Sequence, residues 1–316
     1  MRVLMIGAGA VGIAVGVTLE SQGVDVDFLA RGKTLEAIRQ NGAGRTGLFG
    51  EYSCAAGAVG AYETYQELPE QAYDYVIIST KTMANREISQ SLWNARQCMK
   101  PSAKLIIMQN GWGNDTAYLE YFSKEQIYHA RVITGFQRTS PNVSNITVHT
   151  APVLLGSLYG CDSSCMAPLQ QALLQGGIPS EVTEGVGKFL WAKMLYNTTL
   201  NPLGAVLGVN YGKLMESEAS KSIMDQLIEE TFSVMQAAGY SAPWETPEEY
   251  KEVFYGKLIP DTYHHRASTL QDIEKKQKTE IDTLNGCIVA LAEQYGVSVP
   301  THTMLVRLIH SMEDNF

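Results

Sequence analysis

No apolar run in this chain of 316 residues approaches the roughly 20 residues that a membrane-spanning helix needs, so a helical membrane protein is excluded. Basic residues are also in short supply. Lys and Arg number 24 against 33 Asp and Glu, for a net charge of −9. Nucleic acid requires a basic face to neutralise its phosphates, so no such partner is expected. A small anionic substrate needs only one local cationic pocket and stays open. Cysteines are few, odd in number and scattered: Cys54, Cys98, Cys161, Cys165 and Cys287. Only Cys161 and Cys165 lie close together, and neither a second pair nor a histidine cluster completes a zinc site, so no metal is expected. Thiols without a disulfide pattern, and an N-terminus that opens directly on a strand, lead to an expected cytoplasmic location.

Hydrophobic residues make up 45% and charged residues 18%, an ordinary globular profile, and the length allows two domains. From Met1 to about Pro179, short β-branched runs alternate with amphipathic helical stretches, the pattern of parallel strands joined by crossover helices. Asn142–Thr150 and Pro152–Leu158 read instead as two antiparallel strands at the sheet edge. From Glu184 onward the apolar period changes to 3.6 and the strand signal fades. The fold class is therefore α/β. A Rossmann-type, doubly wound sheet domain is expected over residues 1–182, followed by an all-α domain over 183–316.

The run Gly7-Ala8-Gly9-Ala10-Val11-Gly12 follows an apolar strand and opens a helix. Glycines at this spacing make a tight turn, let backbone approach a pyrophosphate, and pack helix on strand. The helix N-terminus then offers its N–H groups to the phosphate. At the end of the second strand, an NAD site carries Asp or Glu for the ribose hydroxyl. Here the chain reads Leu29-Ala30-Arg31-Gly32-Lys33. Arg31, with Lys33 as a second cation, suits a 2′-phosphate, so the expected cofactor is NADP(H). Asp27 sits too early to serve as the ribose acid. Lys81 and Asn110 follow two further strands and are placed to meet ribose, nicotinamide or substrate.

In the second half, Lys193, Asn197 and Asn201 recur every four residues. They line one helix face, drifting by roughly 40° per step. Lysine can deliver a proton to a ketone oxygen, and amides can hold hydroxyls or carboxylates. Pro202 is expected to end or kink this helix just after Asn201. Ser268 and Glu280 form the other polar group. Thr279, with Asp282 three residues later, signals a helix start that puts Glu280 in the first turn, from where it can pair with Lys193.

These residues together resemble the ketopantoate reductase (2-dehydropantoate 2-reductase) family, whose C-terminal domain is of the 6-phosphogluconate-dehydrogenase type. The resemblance runs nearly end to end. It rests on Gly7-x-Gly9-x-x-Gly12, Arg31, Lys81, Gln109-Asn110-Gly111, Trp191-x-Lys193-x3-Asn197-x3-Asn201-Pro202, Ser268-x-x-Gln271-Asp272 and Thr279-Glu280-Ile281-Asp282-x2-Asn285-Gly286. It implies NADPH-dependent reduction of 2-dehydropantoate to (R)-pantoate, for pantothenate and coenzyme A synthesis. Lys193 is then the general acid, and Glu280 a partner of both lysine and substrate. Asn197 and Asn201 bind the substrate's hydroxyl end, Ser268 its carboxylate, and Asn110 spans cofactor and substrate. The chain departs from the family at His264-His265-Arg266-Ala267, where a small or amide residue is common, and at the bulky Trp112. These departures keep open a reductase of another 2-oxo acid. A non-catalytic NADP sensor is the other alternative, and Lys193 with Glu280 weighs against it. A homodimer through the apolar face Ile223–Met235 competes with core packing of the same stripe.

Overall fold

Ten strands form one mixed sheet: β1 (Arg2–Ile6), β2 (Asp25–Leu29), β3 (Ala43–Gly47), β4 (Tyr52–Cys54), β5 (Gly60–Tyr62), β6 (Tyr73–Ile78), β7 (Met99–Ile107), β8 (Ile127–Ser140), β9 (Val143–Gly156) and β10 (Ser180–Val182). Their order is β4-β3-β9-β8-β7-β6-β1-β2-β5, with β10 beside β9. From β5 through β2, β1, β6 and β7 to β8 every pairing is parallel. Parallel strands covered on both faces read as unbroken apolar runs, as Val3–Ile6, Val76–Ile78 and Leu105–Ile107 do. The helices Ala10–Glu20 and Ala167–Gln175 cover one face, and Asn85–Asn94 helps cover the other. The winding direction reverses between β1 and β6. In open α/β sheets the carboxyl ends at such a reversal are where ligands bind.

The computed structural model describes residues 1–316 and divides into two units. The first holds Met1–Gln109 and Asn114–Val186. The second holds Asn110–Gly113 and Gly187–Phe316. The main division thus falls four residues beyond the expected 182/183 boundary, and a four-residue excursion from the first half belongs to the second unit.

Two edge strands were expected over residues 142–158, yet one 14-residue strand, β9, runs there against β8. Its register shifts opposite Arg131 and Ile133, and at this irregularity Pro152 needs no ladder hydrogen bond.

The second unit packs helices around Trp191, Met194, Leu227, Ile228 and Ile288. The face Ile223–Met235 supplies Met224, Leu227, Ile228, Val234 and Met235 to this core, so core packing accounts for the stripe. Two expectations need correction. The ladder helix does not end after Asn201: it runs Val186–Leu207, with Pro202 inside it. Proline lacks the N–H that would bond the carbonyl four residues back, Thr198 O, and Asn285 Nδ2 donates to that oxygen at 2.9 Å instead. Glu280, for its part, does not open an α-helix. It precedes the 3₁₀ turn Ile281–Thr283, and the α-helix begins at Asn285. Thr279 does cap locally, accepting from Ile281 N, while its own hydroxyl and N–H donate to the buried carboxylate of Glu313 at 2.7 and 2.8 Å.

Candidate active site

In the first unit, Gly7 has φ +99°, and a Cβ there would come within 2.7 Å of Thr80 Cγ2. A Cβ on Gly12 would lie 2.0 Å from the Gly7 carbonyl oxygen. Both positions need glycine to bring the ends of β1 and β6 together, where Ser79 Oγ donates to Gly7 O at 2.8 Å. Gly9 is different, since a Cβ there would meet only Ser79 O, at 4.0 Å. That open space, rather than protein, is what glycine preserves. Gly9 also caps the helix Ala10–Glu20 with no side-chain bond, and the first turn carries no acid. Its free N–H groups and positive dipole end suit a phosphate.

A pocket of about 230 Å³ opens beside this loop, lined among others by Gly7, Ala8, Arg31, Thr34, Tyr65 and Glu87. Arg31 is there as expected. Lys33 and Lys81 are exposed and are not among its lining residues. Asp27 is buried on β2 and accepts from Arg2 Nε at 2.9 Å and the Tyr73 hydroxyl at 2.8 Å, so a structural role occupies it. Sequence reasoning missed Arg138. Its Nη2 donates to Ala8 O at 2.6 Å and Thr34 Oγ1 at 2.8 Å, tying the glycine loop to the next helix. No local motif marks it, because β8 delivers it from 130 residues away.

Buried Gln109 ends the β7 side of this unit. Its Nε2 donates to Thr80 O at 3.0 Å and to Asn85 Oδ1 at 2.7 Å, and Asn85 Nδ2 donates to Asn114 O at 3.2 Å. The residues on both sides of the 110–113 excursion are therefore fixed by one buried amide network.

In the second unit, Gly111 has φ +93°, and a Cβ there would lie 2.3 Å from Thr283 O, so only glycine fits. Trp112 N–H donates to that same carbonyl at 3.1 Å. Its indole packs against Trp191 and Tyr240 with ring centroids 5.0 and 4.9 Å away. The bulk of Trp112 thus anchors the segment in an aromatic cluster. Asn110, held this way, accepts from Lys193 Nζ at 2.6 Å through Oδ1, and its Nδ2 lies 3.5 Å from Glu280 Oε2. Three residues from distant parts of the sequence thereby meet: an ammonium, an amide and a carboxylate.

Farther along the ladder, Asn197 is half-buried, and its side chain bonds no protein group. Asn201 is buried and accepts from the Tyr211 hydroxyl at 2.5 Å. Gly204, roughly 20° from Lys193 around the helix, lets Ala267 approach. A Cβ on Gly204 would sit 3.9 Å from Ala267 Cβ. Ser268, exposed, follows Ala267 directly at the start of the helix Ser268–Glu274. His265, given no role by sequence, lies with its ring 5.1 Å from that of Tyr211.

This arrangement can be set beside known proteins. The model for ketopantoate reductase PanE/ApbA matches residues 3–159, and the model for its C-terminal domain matches residues 187–313. The chain belongs to the ketopantoate reductase family. It is 34% identical to the 2-dehydropantoate 2-reductase of Aquifex aeolicus, over 99% of this chain and 97% of that one. The solved PanE/ApbA family ketopantoate reductase of Ralstonia eutropha superposes with TM-score 0.86 at 25% identity, covering 100% of this chain and 99% of the other. D-mandelate dehydrogenase, solved with NADH and anilino(oxo)acetate, shares the fold at TM-score 0.86 and 22% identity, again over 100% and 99% of the two chains. Like the family's other members, this ketopantoate reductase relative is an oxidoreductase using a nicotinamide cofactor.

Proposed function

We propose that this protein reduces 2-dehydropantoate to (R)-pantoate with NADPH, a step toward pantothenate and coenzyme A. The observation that carries the reading is the Lys193 ammonium held by Asn110 Oδ1 at 2.6 Å, with Glu280 on the other side of the same amide. NADPH fits the first unit: Gly7 to Gly12 would hold its pyrophosphate at the helix N-terminus, and Arg31 its 2′-phosphate, with Lys33 and Lys81 as flanking cations. When bound, it supplies a hydride to the ketone carbon. The remaining chemistry falls to side chains of the second unit. Reduction puts negative charge on the C2 oxygen, and Lys193 Nζ both stabilises that charge and provides the proton. Asn110 orients the ammonium, and Glu280 draws the amide into place. Asn197 and Asn201 bind the hydroxyl end of the substrate, and Ser268 its carboxylate. The substrate is a small molecule, and no helix is long and apolar enough to cross a membrane.

A panel of branched 2-oxo acids, each assayed with NADPH and NADH, tests this directly. The highest kcat/KM is expected for 2-dehydropantoate with NADPH. Another acid ahead by more than tenfold would make the named substrate wrong.

A further inference from the structure

Tyr211 is buried at 2% exposure, and its hydroxyl has a single hydrogen-bond partner, Asn201 Oδ1. Burial keeps the phenol protonated, well above its ordinary pKa. A sealed hydroxyl proton needs an acceptor, and the amide oxygen of Asn201 is the one it has. Turning that amide over would set its NH₂ against the hydroxyl and leave the phenol proton with nowhere to go. Asn201 is therefore fixed with Oδ1 toward Tyr211. Its Nδ2 bonds no protein atom, yet is not sealed from solvent.

Tyr211 has little freedom to relax this constraint. Its ring meets Tyr196 edge-on at 5.6 Å and His265 at 5.1 Å. Its N–H donates to His265 O at 3.1 Å, and the next N–H, of Gly212, donates to Tyr263 O at 2.9 Å. A Cβ on Gly212 would strike the Tyr263 ring at 2.2 Å, so the two segments lie against each other without a gap.

We propose that Tyr211 is a specificity-determining residue: by locking Asn201 as a donor, it makes the far end of the substrate site take 2-oxo acids whose chain ends in a hydrogen-bond acceptor and refuse those ending in a donor-only group. This rests on the reading above that Asn201 faces the substrate. A hydroxyl satisfies Nδ2 through its lone pairs. An ammonium in the same place meets two donors with no acceptor between them and is rejected. Tyr211 touches no substrate atom in this account and works through the amide alone.

The test compares three acids that differ only at C4 of 3,3-dimethyl-2-oxobutanoate: hydroxyl, hydrogen (a plain methyl) and ammonium. Each is assayed with NADPH on wild type, Tyr211→Phe, Asn201→Ala and the double variant. The methyl compound offers Asn201 nothing to bond, so its rate reports the state of the fold in each variant. Tyr211→Phe frees the amide to turn, and should raise kcat/KM for ammonium relative to hydroxyl by about tenfold. In the Asn201→Ala background the same substitution should leave that ratio unmoved, because nothing remains to orient. An unchanged ratio in Tyr211→Phe, alongside a collapsed hydroxyl-over-methyl preference in Asn201→Ala, overturns the lock and leaves the role of Asn201 standing. A hydroxyl-over-methyl preference undiminished in Asn201→Ala overturns both.

Discussion

At the level of one side chain, Arg31 is the residue proposed to choose the dinucleotide. Its guanidinium is 75% exposed and touches Glu87 only loosely, at 3.4 Å. An exposed pair of this kind contributes about 0–1 kcal/mol, so little is lost when the guanidinium turns to a 2′-phosphate. Arg31→Ala is therefore expected to weaken NADPH about 10–100-fold, the worth of one charged hydrogen bond, while NADH affinity stays within about threefold. Fluorescence titration of both cofactors checks this, and equal losses would mean that Arg31 does not read the phosphate. The nearest carboxylate on β2, Asp27, offers no competing route to the ribose, since Arg2 and Tyr73 occupy it.

The ladder helix shows how an element is held in a shape its sequence opposes. Asn285 Nδ2 donates to Thr198 O, the carbonyl orphaned by Pro202, and also lies 2.9 Å from His302 Nδ1. That ring nitrogen then accepts, so the proton sits on Nε2 and points to Leu227 O at 3.1 Å. Burial lowers the His302 pKa to about 4, and the bond to Leu227 only partly opposes this. The folded value lies below the unfolded one of about 6.5. Neutral His302 thus contributes its full stability above about pH 6.5 and loses it as the pH falls toward 4, a difference on the order of 3 kcal/mol. Urea unfolding from pH 7 to 5 should show a steeper loss in wild type than in His302→Asn, whose amide oxygen can accept from Asn285 and does not titrate in this range. Parallel slopes would contradict a buried neutral histidine. The helices themselves were legible, because a 3.6 period marks a buried stripe wherever it occurs. Survival of the helix past Pro202 was not, because the replacement donor comes from 83 residues away. The same holds for β3, Ala-Gly-Arg-Thr-Gly, which has no apolar alternation and is a strand because β9 and β4 pair with it.

At the scale of the whole chain, the residues proposed to act fall into two units. The glycine loop and the Arg31 pocket lie in the first, and the lysine, its amide and its carboxylate in the second. The motifs for both were readable, since each is a local pattern on one element. The placement of Asn110 was not. Its membership of the second unit depends on the Gly111 backbone and the Trp112 anchor, which are long-range packing facts. Glu313 escaped notice for the same reason, although it holds Thr279, next to Glu280, from the last helix. A division of this kind means that turnover and cofactor binding should separate by mutation. The most direct test is single-turnover NADPH oxidation with 2-dehydropantoate in wild type and Lys193→Ala, with NADPH affinity measured in parallel. A general acid contributes about 10²–10⁴ in rate, so the variant should lose at least a hundredfold in turnover while binding NADPH as wild type does. A wild-type rate in Lys193→Ala would contradict the assignment of Lys193 as the proton donor, and with it the reading of this site.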